Sequence, residues 1–481
     1  MMIKLKYYLL SFGLFLALMF TNCKPLKTYK QPSLKTMPES YNSKKDSTND
    51  AAINWKSYFT DETLIALIDT ALTNNIDLLM TLQKIEMAQQ QLNFAKVLGK
   101  PFVNAGVSVG QKRFGKYTMD GVGNYDTNFS NNITDDQKIS EHLPDFNIGL
   151  QSSWEVDIWG KLRNKKMAAI ARYLASVEGK NWIITNLISE ISASYYSLIA
   201  LDNELDIIKE TRNLQLNELQ IIKAQKEAGY ANELAVKQFE SRILNTRSLE
   251  VEILQSIVEI ENKINFLLAR YPQPIFRDKL QFTKPLPTQI RMGIPTQLLR
   301  NRPDVKKAEY EVMAAKADVE AARLAFYPSL NINANVGFQT FNPAYVVSPQ
   351  SIAYNLLGGL SAPVINRKGL NADFGMANAI QTEALYNYQK SIIGAYTEVY
   401  NEMSNIKNLN LIQELKSQEV SILTESIVTS TDLFKTGRAT YLEVLITQTN
   451  ALQARIELIN VKKQQYDAVV NIYKALGGGW R

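Results

Sequence analysis

The sequence has one cysteine, Cys23, and one histidine, His142. An internal disulfide is therefore impossible. Paired-histidine metalloprotease sites, cysteine-type structural zinc sites and a His-based triad built on a cysteine elsewhere in the chain lack the residues to form them. No charge sign dominates. The 53 Lys and Arg face 47 Asp and Glu, for a formal net charge of +6, and no basic cluster interleaves with aromatics, so nucleic acid is not an expected partner. Long hydrophobic runs are missing as well. The stretch from Tyr7 to Phe20 is too short for a bilayer-spanning helix, which needs about 20 residues, and no later segment approaches that length. No phosphate loop and no set of nucleophile, base and orienting residue emerges, so no catalytic residue, cofactor or metal site is expected. With 22 Gly, 15 Pro and 46% hydrophobic residues among 481, the chain is neither collagen-like nor disordered.

What is present starts with an export signal. Lys4 and Lys6 precede the apolar stretch, and Thr21 and Asn22 lead to Cys23. Residues 1–22 resemble a bacterial lipoprotein signal peptide, with Cys23 as the lipid-modified first residue; a plain secretory signal is the alternative. Residues 23–54 are rich in Lys, Pro, Ser, Thr and Asn without periodicity and read as the anchor and its tether.

Beyond that point two periodicities alternate. Segments of about 101–113, 146–158, 328–340 and 352–365 alternate with the period of two of a strand, as in Val103, Ala105, Val107 and Val109 against Asn104, Gly106, Ser108 and Gly110, the fourth more weakly because Leu357 breaks the pattern. The polar partners are amides and glycines rather than Lys and Glu, and each segment suits the 9 to 11 residues of a tilted membrane strand. Between them lie helical stretches of about 74–99, 160–228 and 231–270, then 302–327, 369–436 and 439–476. Residues 160–228 contain only Gly160, at their start, and Gly179, with no Pro, and Leu187, Ile191, Leu198, Leu201, Leu205 and Ile208 form an apolar seam.

The two halves are copies, residues 55–280 and 294–481 joined by a linker of 281–293. Pro101, Asn104, Val109 and Gly110 recur as Pro328, Asn331, Val336 and Gly337. Gly229, Ala231, Leu234 and Val236 recur as Gly437, Ala439, Leu442 and Val444, each Gly marking a turn between helices. Each copy thus reads helix, strand, strand, long helix, turn, helix. The two shorter helices together match the length of the long one, so end-to-end stacking along it is expected. Four strands cannot close a barrel, and unpaired edges in lipid cost several kcal/mol per backbone group. The chain must oligomerise to insert, and the polar loop from Gly115 to Leu143 suits the outer side of a membrane.

These residues resemble the TolC-like outer-membrane factors and, within them, the NodT-type efflux lipoproteins. The resemblance rests on Ser153-Trp154-Glu155-Val156-Asp157-Ile158-Trp159-Gly160, on Leu298-Leu299-Arg300-Asn301-Arg302-Pro303-Asp304-Val305, on Phe326-Tyr327-Pro328 and on Leu476-Gly477-Gly478-Gly479-Trp480. It implies a mainly α protein with membrane β structure: a homotrimeric α-helical barrel continued by a 12-stranded β-barrel, four strands per chain. It also implies a passive exit duct in the bacterial outer membrane, contacting outer-membrane lipid and served by an RND-type inner-membrane transporter through a periplasmic adaptor. A type I secretion duct and a non-pore lipid-anchored helical scaffold are the alternatives, and an enzyme has the least support.

By the same resemblance the pore gate falls just after the second turn, at Glu443 and Ile446, which share a helix face; a solvated helix face is the plainer reading of Glu443. The adaptor-contact tip falls at Gly229, Tyr230, Lys435, Gly437 and Arg438. Trp154 and Trp159 are candidates for an interfacial aromatic belt, with ordinary packing the alternative.

Overall fold

The computed structural model describes residues 29–41, 48–279, 282, 291–363 and 367–481. The signal peptide, Cys23 and most of the linker lie outside them. Two compact units emerge, and they cut across the sequence copies: one gathers residues 93–168 and 314–385 with the start of the described chain, the other residues 169–313 and 386–481 with most of the N-terminal segment up to residue 92. Each unit takes corresponding parts of both copies.

The first unit is built on one antiparallel sheet of order β1-β2-β3-β4: Phe102–Lys112, Leu143–Val156, Ser329–Thr340 and Ile352–Ser361. The second strand starts earlier than alternation indicates, because Leu143 pairs with Lys112 and Asp145 with Gly110, and the Lys112 ammonium lies 3.7 Å from the Asp145 carboxylate. The loop between β1 and β2 holds a nine-residue helix between two strands. Its N-terminus is set by Thr118, whose hydroxyl accepts the Gly121 N–H at 3.1 Å.

The second unit carries most of the helices. In chain order they are α1 (Glu62–Asn74), α2 (Ile76–Val97), α3 (the loop helix, Met119–Thr127), α4 (Lys161–Glu227), α5 (Glu233–Leu267), α6 (Pro303–Leu324), α7 (Lys368–Lys435) and α8 (Tyr441–Ala475), several of which run on into the first unit. The seam of α4 is buried: Ile188, Ile191, Tyr195 and Leu198 meet Leu64 and Ile68 of α1, Ile257 and Ile264 of α5, and Tyr466 and Val470 of α8. Each such aliphatic side chain contributes roughly 1.5–3 kcal/mol of burial. A second cluster joins Leu298, Val305, Val399, Ile472 and Leu476, and Tyr41 of the tether enters it, stacked on Tyr396 at 5.3 Å. The segment read as a plain tether is thus partly built into the core through an aromatic.

The end-to-end junctions of the helices are explicit in side-chain hydrogen bonds. Asn75, just before α2, donates its amide N–H to the carbonyl of Leu267, the last residue of α5, at 2.9 Å. At the matching position before α6, Arg302 donates to the carbonyl of Ala475, the last residue of α8, at 3.0 Å. Helix ends leave carbonyls without intrahelical partners, and each copy satisfies one of them with the residue that starts the next stacked helix.

Arg302 does more. Its guanidinium, 1% exposed, forks onto Asp304 at 3.0 and 2.7 Å, bonds Glu398 of α7 at 2.6 Å and lies over the Trp182 ring of α4. The terminal glycine motif packs on the same spot. Gly477 has φ +91°, a Cβ there would fall 2.6 Å from the Asn301 carbonyl carbon, and Trp480 donates its indole N–H to the Asn301 carbonyl at 3.0 Å. Two of the sequence's most distinctive motifs therefore hold each other.

Candidate functional site

Strand register sorts the sheet's residues into two faces. On one, cross-strand rows read Val107, Ile148, Phe338, Ile352, and then Ala105, Leu150, Val336, Tyr354. On the other they read Asn104, Gln151, Asn335, Asn355, then Gly106, Gly149, Gly337, Ala353, then Ser108, Asn147, Gln339. Phe102, Leu143 and Leu357 are the large apolar exceptions on this amide face. The row of smallest residues forms the floor of a concavity of about 110 Å³ rimmed by Asn147, Gln151, Asn335 and Gln339. A Cβ at Gly149 would lie 2.7 Å from the Val336 carbonyl oxygen, so the β2 and β3 backbones approach here as only glycine permits, whereas a Cβ at Gly106 meets nothing within 4 Å. Both sheet edges, β1 and β4, lack a partner strand among the described residues.

The two candidate belt tryptophans sit where β2 leaves the sheet. Trp154 donates its indole N–H to the Gly99 carbonyl at 2.9 Å and Trp159 to the Pro328 carbonyl at 2.7 Å, with the Trp159 and Tyr327 rings 5.3 Å apart. Asp157 between them accepts the N–H groups of Leu162 and Arg163 at 2.9 and 2.7 Å and so starts α4. The Trp-Glu-Val-Asp-Ile-Trp motif thereby ties the strand exit to both strand entries, at Gly99 just before Pro101 and at Pro328 itself.

The two glycine turns come together in the helical unit. Gly229 (φ +81°) and Gly437 (φ +72°) each follow a long helix, and the next residue, Tyr230 or Arg438, returns its N–H to Gln225 or Leu433 at 2.8 Å. This is the Schellman closure, which requires the left-handed conformation that glycine adopts without penalty. Ile222, Val236 and Phe239 beside the first turn share a cluster with Phe434, Tyr441 and Leu445 beside the second. Tyr230, Lys435 and Arg438 are exposed at these turns, and the Lys435 ammonium stands 3.5 Å from Asp432.

Glu443 carries a role that the reading from sequence did not assign. Its carboxylate accepts the Thr440 backbone N–H at 2.6 Å and the Thr440 hydroxyl at 2.9 Å, closing a capping box at the start of α8. Those hydrogen bonds hold its carboxyl below the usual carboxylate range. Thr and Glu three residues apart ahead of an apolar-periodic run is the sequence signal for this. Leu442 and Ile446 are exposed next to it on α8. The first copy solves the same problem with Asn232, which accepts the Ala235 N–H at 2.9 Å. A second unforeseen feature lies one step in from the turns. Gln448 of α8 donates to Glu218 of α4, and burial pushes the Glu218 carboxyl up.

A meander that is apolar on one face and amide on the other, with two open edges and helices of 67 and 68 residues joined to it, defines an outer-membrane channel subunit. Residues 67–270 and 294–478 match the model of the outer membrane efflux protein family, and the chain belongs to that family, whose members are channel components of efflux systems rather than enzymes. It is 27% identical to the cation efflux system protein CusC of Escherichia coli O6:H1 over 97% of each chain. It is 25% identical to a probable outer membrane lipoprotein, SilC, of Salmonella typhimurium over 100% of each. Among solved structures, a membrane protein from Pseudomonas aeruginosa superposes with a TM-score of 0.84 at 25% identity, covering 95% of this chain and 98% of that one.

Proposed function

We propose that three copies of this chain close a twelve-stranded barrel in the outer membrane and act as the passive exit duct of a tripartite efflux pump. The observation that carries this reading is the register-sorted sheet. Its apolar face suits lipid, its amide face suits water and passing cargo, and its open edges β1 and β4 require neighbouring copies, because lipid-exposed backbone groups cannot remain unpaired. The helices would enclose the passage on the periplasmic side, with the paired Gly229 and Gly437 turns as the end that meets a periplasmic adaptor and, through it, an RND-type transporter. Cys23 would supply the lipid anchor.

The gate we assign to the start of α8, where Glu443, Leu442 and Ile446 are exposed beside the turn. Cargo includes cations or small organic compounds, as the relatives' names indicate for those proteins. No catalytic role is proposed for any residue. The test is complementation: in a strain whose own channel of this class is deleted, co-expression with its cognate adaptor and transporter should restore resistance to the pump's substrates. Surface-localised trimer that never restores export with any such pair would contradict the reading.

A further inference from the structure

Helix α3 in the loop between β1 and β2 presents an apolar surface that none of the described residues covers. Met119 is 88% exposed, Tyr125 70% and Phe129 68%, with Tyr117 and Val122 beside them. A cavity of about 550 Å³ opens along this surface, lined by Phe114, Val122, Tyr125 and Ile139. The returning half of the same loop is different. There Asp136 accepts the hydroxyl of Tyr345, from the chain's own loop between β3 and β4, at 2.7 Å.

The open strand edges say what lies on the bare side. β1 and β4 are the unpaired edges, and a closed ring of identical copies pairs β1 of each with β4 of the next. The meander is antiparallel throughout, so the end of β1 at Lys112 and the start of β4 at Ile352 are at the same end of the sheet. The loop carrying α3 on one chain therefore stands beside the β3–β4 loop of its neighbour. That loop folds into two single-turn helices, Pro343–Tyr345 and Pro349–Ser351, with Val347 between them 76% exposed. In such a ring Val347 of one copy comes next to the cavity and the exposed Tyr125 and Phe129 of its neighbour.

We propose that α3 is an inter-subunit clasp at the outer mouth of the pore, its Tyr125 and Phe129 face seated on the Val347 turn of the next copy. The clasp rests on the trimeric pore reading. It buries the loop's apolar surface against protein rather than the outer leaflet, and it adds a contact at the outer end of the β1–β4 seam.

The test uses the full-length protein assembled in vesicles. Chains carrying both Tyr125→Cys and Val347→Cys, treated with a short bismaleimide, should link into two- and three-chain species, while each single variant should link into none. Tyr125→Cys should react several-fold more slowly with a water-soluble maleimide than Asp126→Cys on the same helix, and Tyr125→Ser with Phe129→Ser should lower the temperature at which the trimer dissociates. An intact trimer in which Tyr125→Cys reacts at the rate of Asp126→Cys and no linked species forms overturns the clasp alone. So does protection from aqueous reagent with ready labelling by a membrane-partitioning one, which would place lipid on the patch. A chain that never assembles overturns the pore reading and the clasp with it.

Discussion

Arg302 concentrates four contacts on one buried cation: two acids, a helix-terminal carbonyl and an indole face. Replacing it with Met keeps the stem and removes the charge, leaving the Asp304 and Glu398 carboxylates and the Ala475 carbonyl without it. The carboxylates left behind are partly solvent-exposed, so the loss falls below the cost of orphaning a fully buried charge, and Arg302→Met should still lower the denaturant midpoint as followed by tryptophan emission. A midpoint equal to wild type would contradict the junction. Glu218 gives a prediction with the opposite charge logic. Burial raises its carboxyl above the ordinary value, so the folded state holds the proton more tightly than the unfolded state does. Its contribution is therefore full at acidic pH and is lost as pH rises from the usual carboxylate range through the raised value. Glu218→Gln, which never ionises, should gain stability over wild type as pH rises through that window and converge with it below; a pH-independent difference would contradict the assignment. How visible these roles are in sequence differs. Pro303 and Asp304 read as a helix start from their residue types alone, whereas the partners of Arg302 lie on helices far along the chain, and only packing brings them together.

Strands and turns obey local rules that sequence exposes, and their mutual register does not. Alternation marks all four strands because each is wetted differently on its two faces, and glycine marks both helix turns because a left-handed residue is needed there. The start of β2 at Leu143 was hidden, since Pro144 and Asp145 are held by pairing with β1 rather than by pattern. Helix α3 was hidden too, because Gly121 and Gly123 weaken its propensity. The row Gly106, Gly149, Gly337, Ala353 becomes a feature only once the strands are aligned. It leads to an asymmetric expectation. Gly149→Val should abolish assembly of the folded protein, since its Cβ has no room beside Val336, while Gly106→Ser should assemble normally; heat-resistant trimer on a gel reads both. At the second turn, Thr440→Ala removes the cap of α8 and should cost about 1 kcal/mol, with faster amide exchange confined to the first turn of that helix. Unchanged exchange there would contradict the capping box.

The assembled molecule is where the pore reading stands or falls. The sequence carries the repeat, the strand pairs and the need to oligomerise, because four alternating segments cannot bury their own edges. The capping role of Glu443 was legible in its spacing from Thr440, and its carboxylate stays ionised to lower pH than an ordinary one because Thr440 donates to it twice. Copies of that carboxylate around a pore would favour cations, and the favour should fade only as pH drops below the usual carboxylate range. The direct test is single-channel recording of the purified full-length protein in a planar bilayer, with Glu443→Ala for comparison. The account predicts small, cation-preferring channels in wild type, and larger or less selective ones in Glu443→Ala. Channels that the substitution leaves unchanged would remove Glu443 from the gate, and a folded trimer that never conducts, with or without it, would contradict the channel itself.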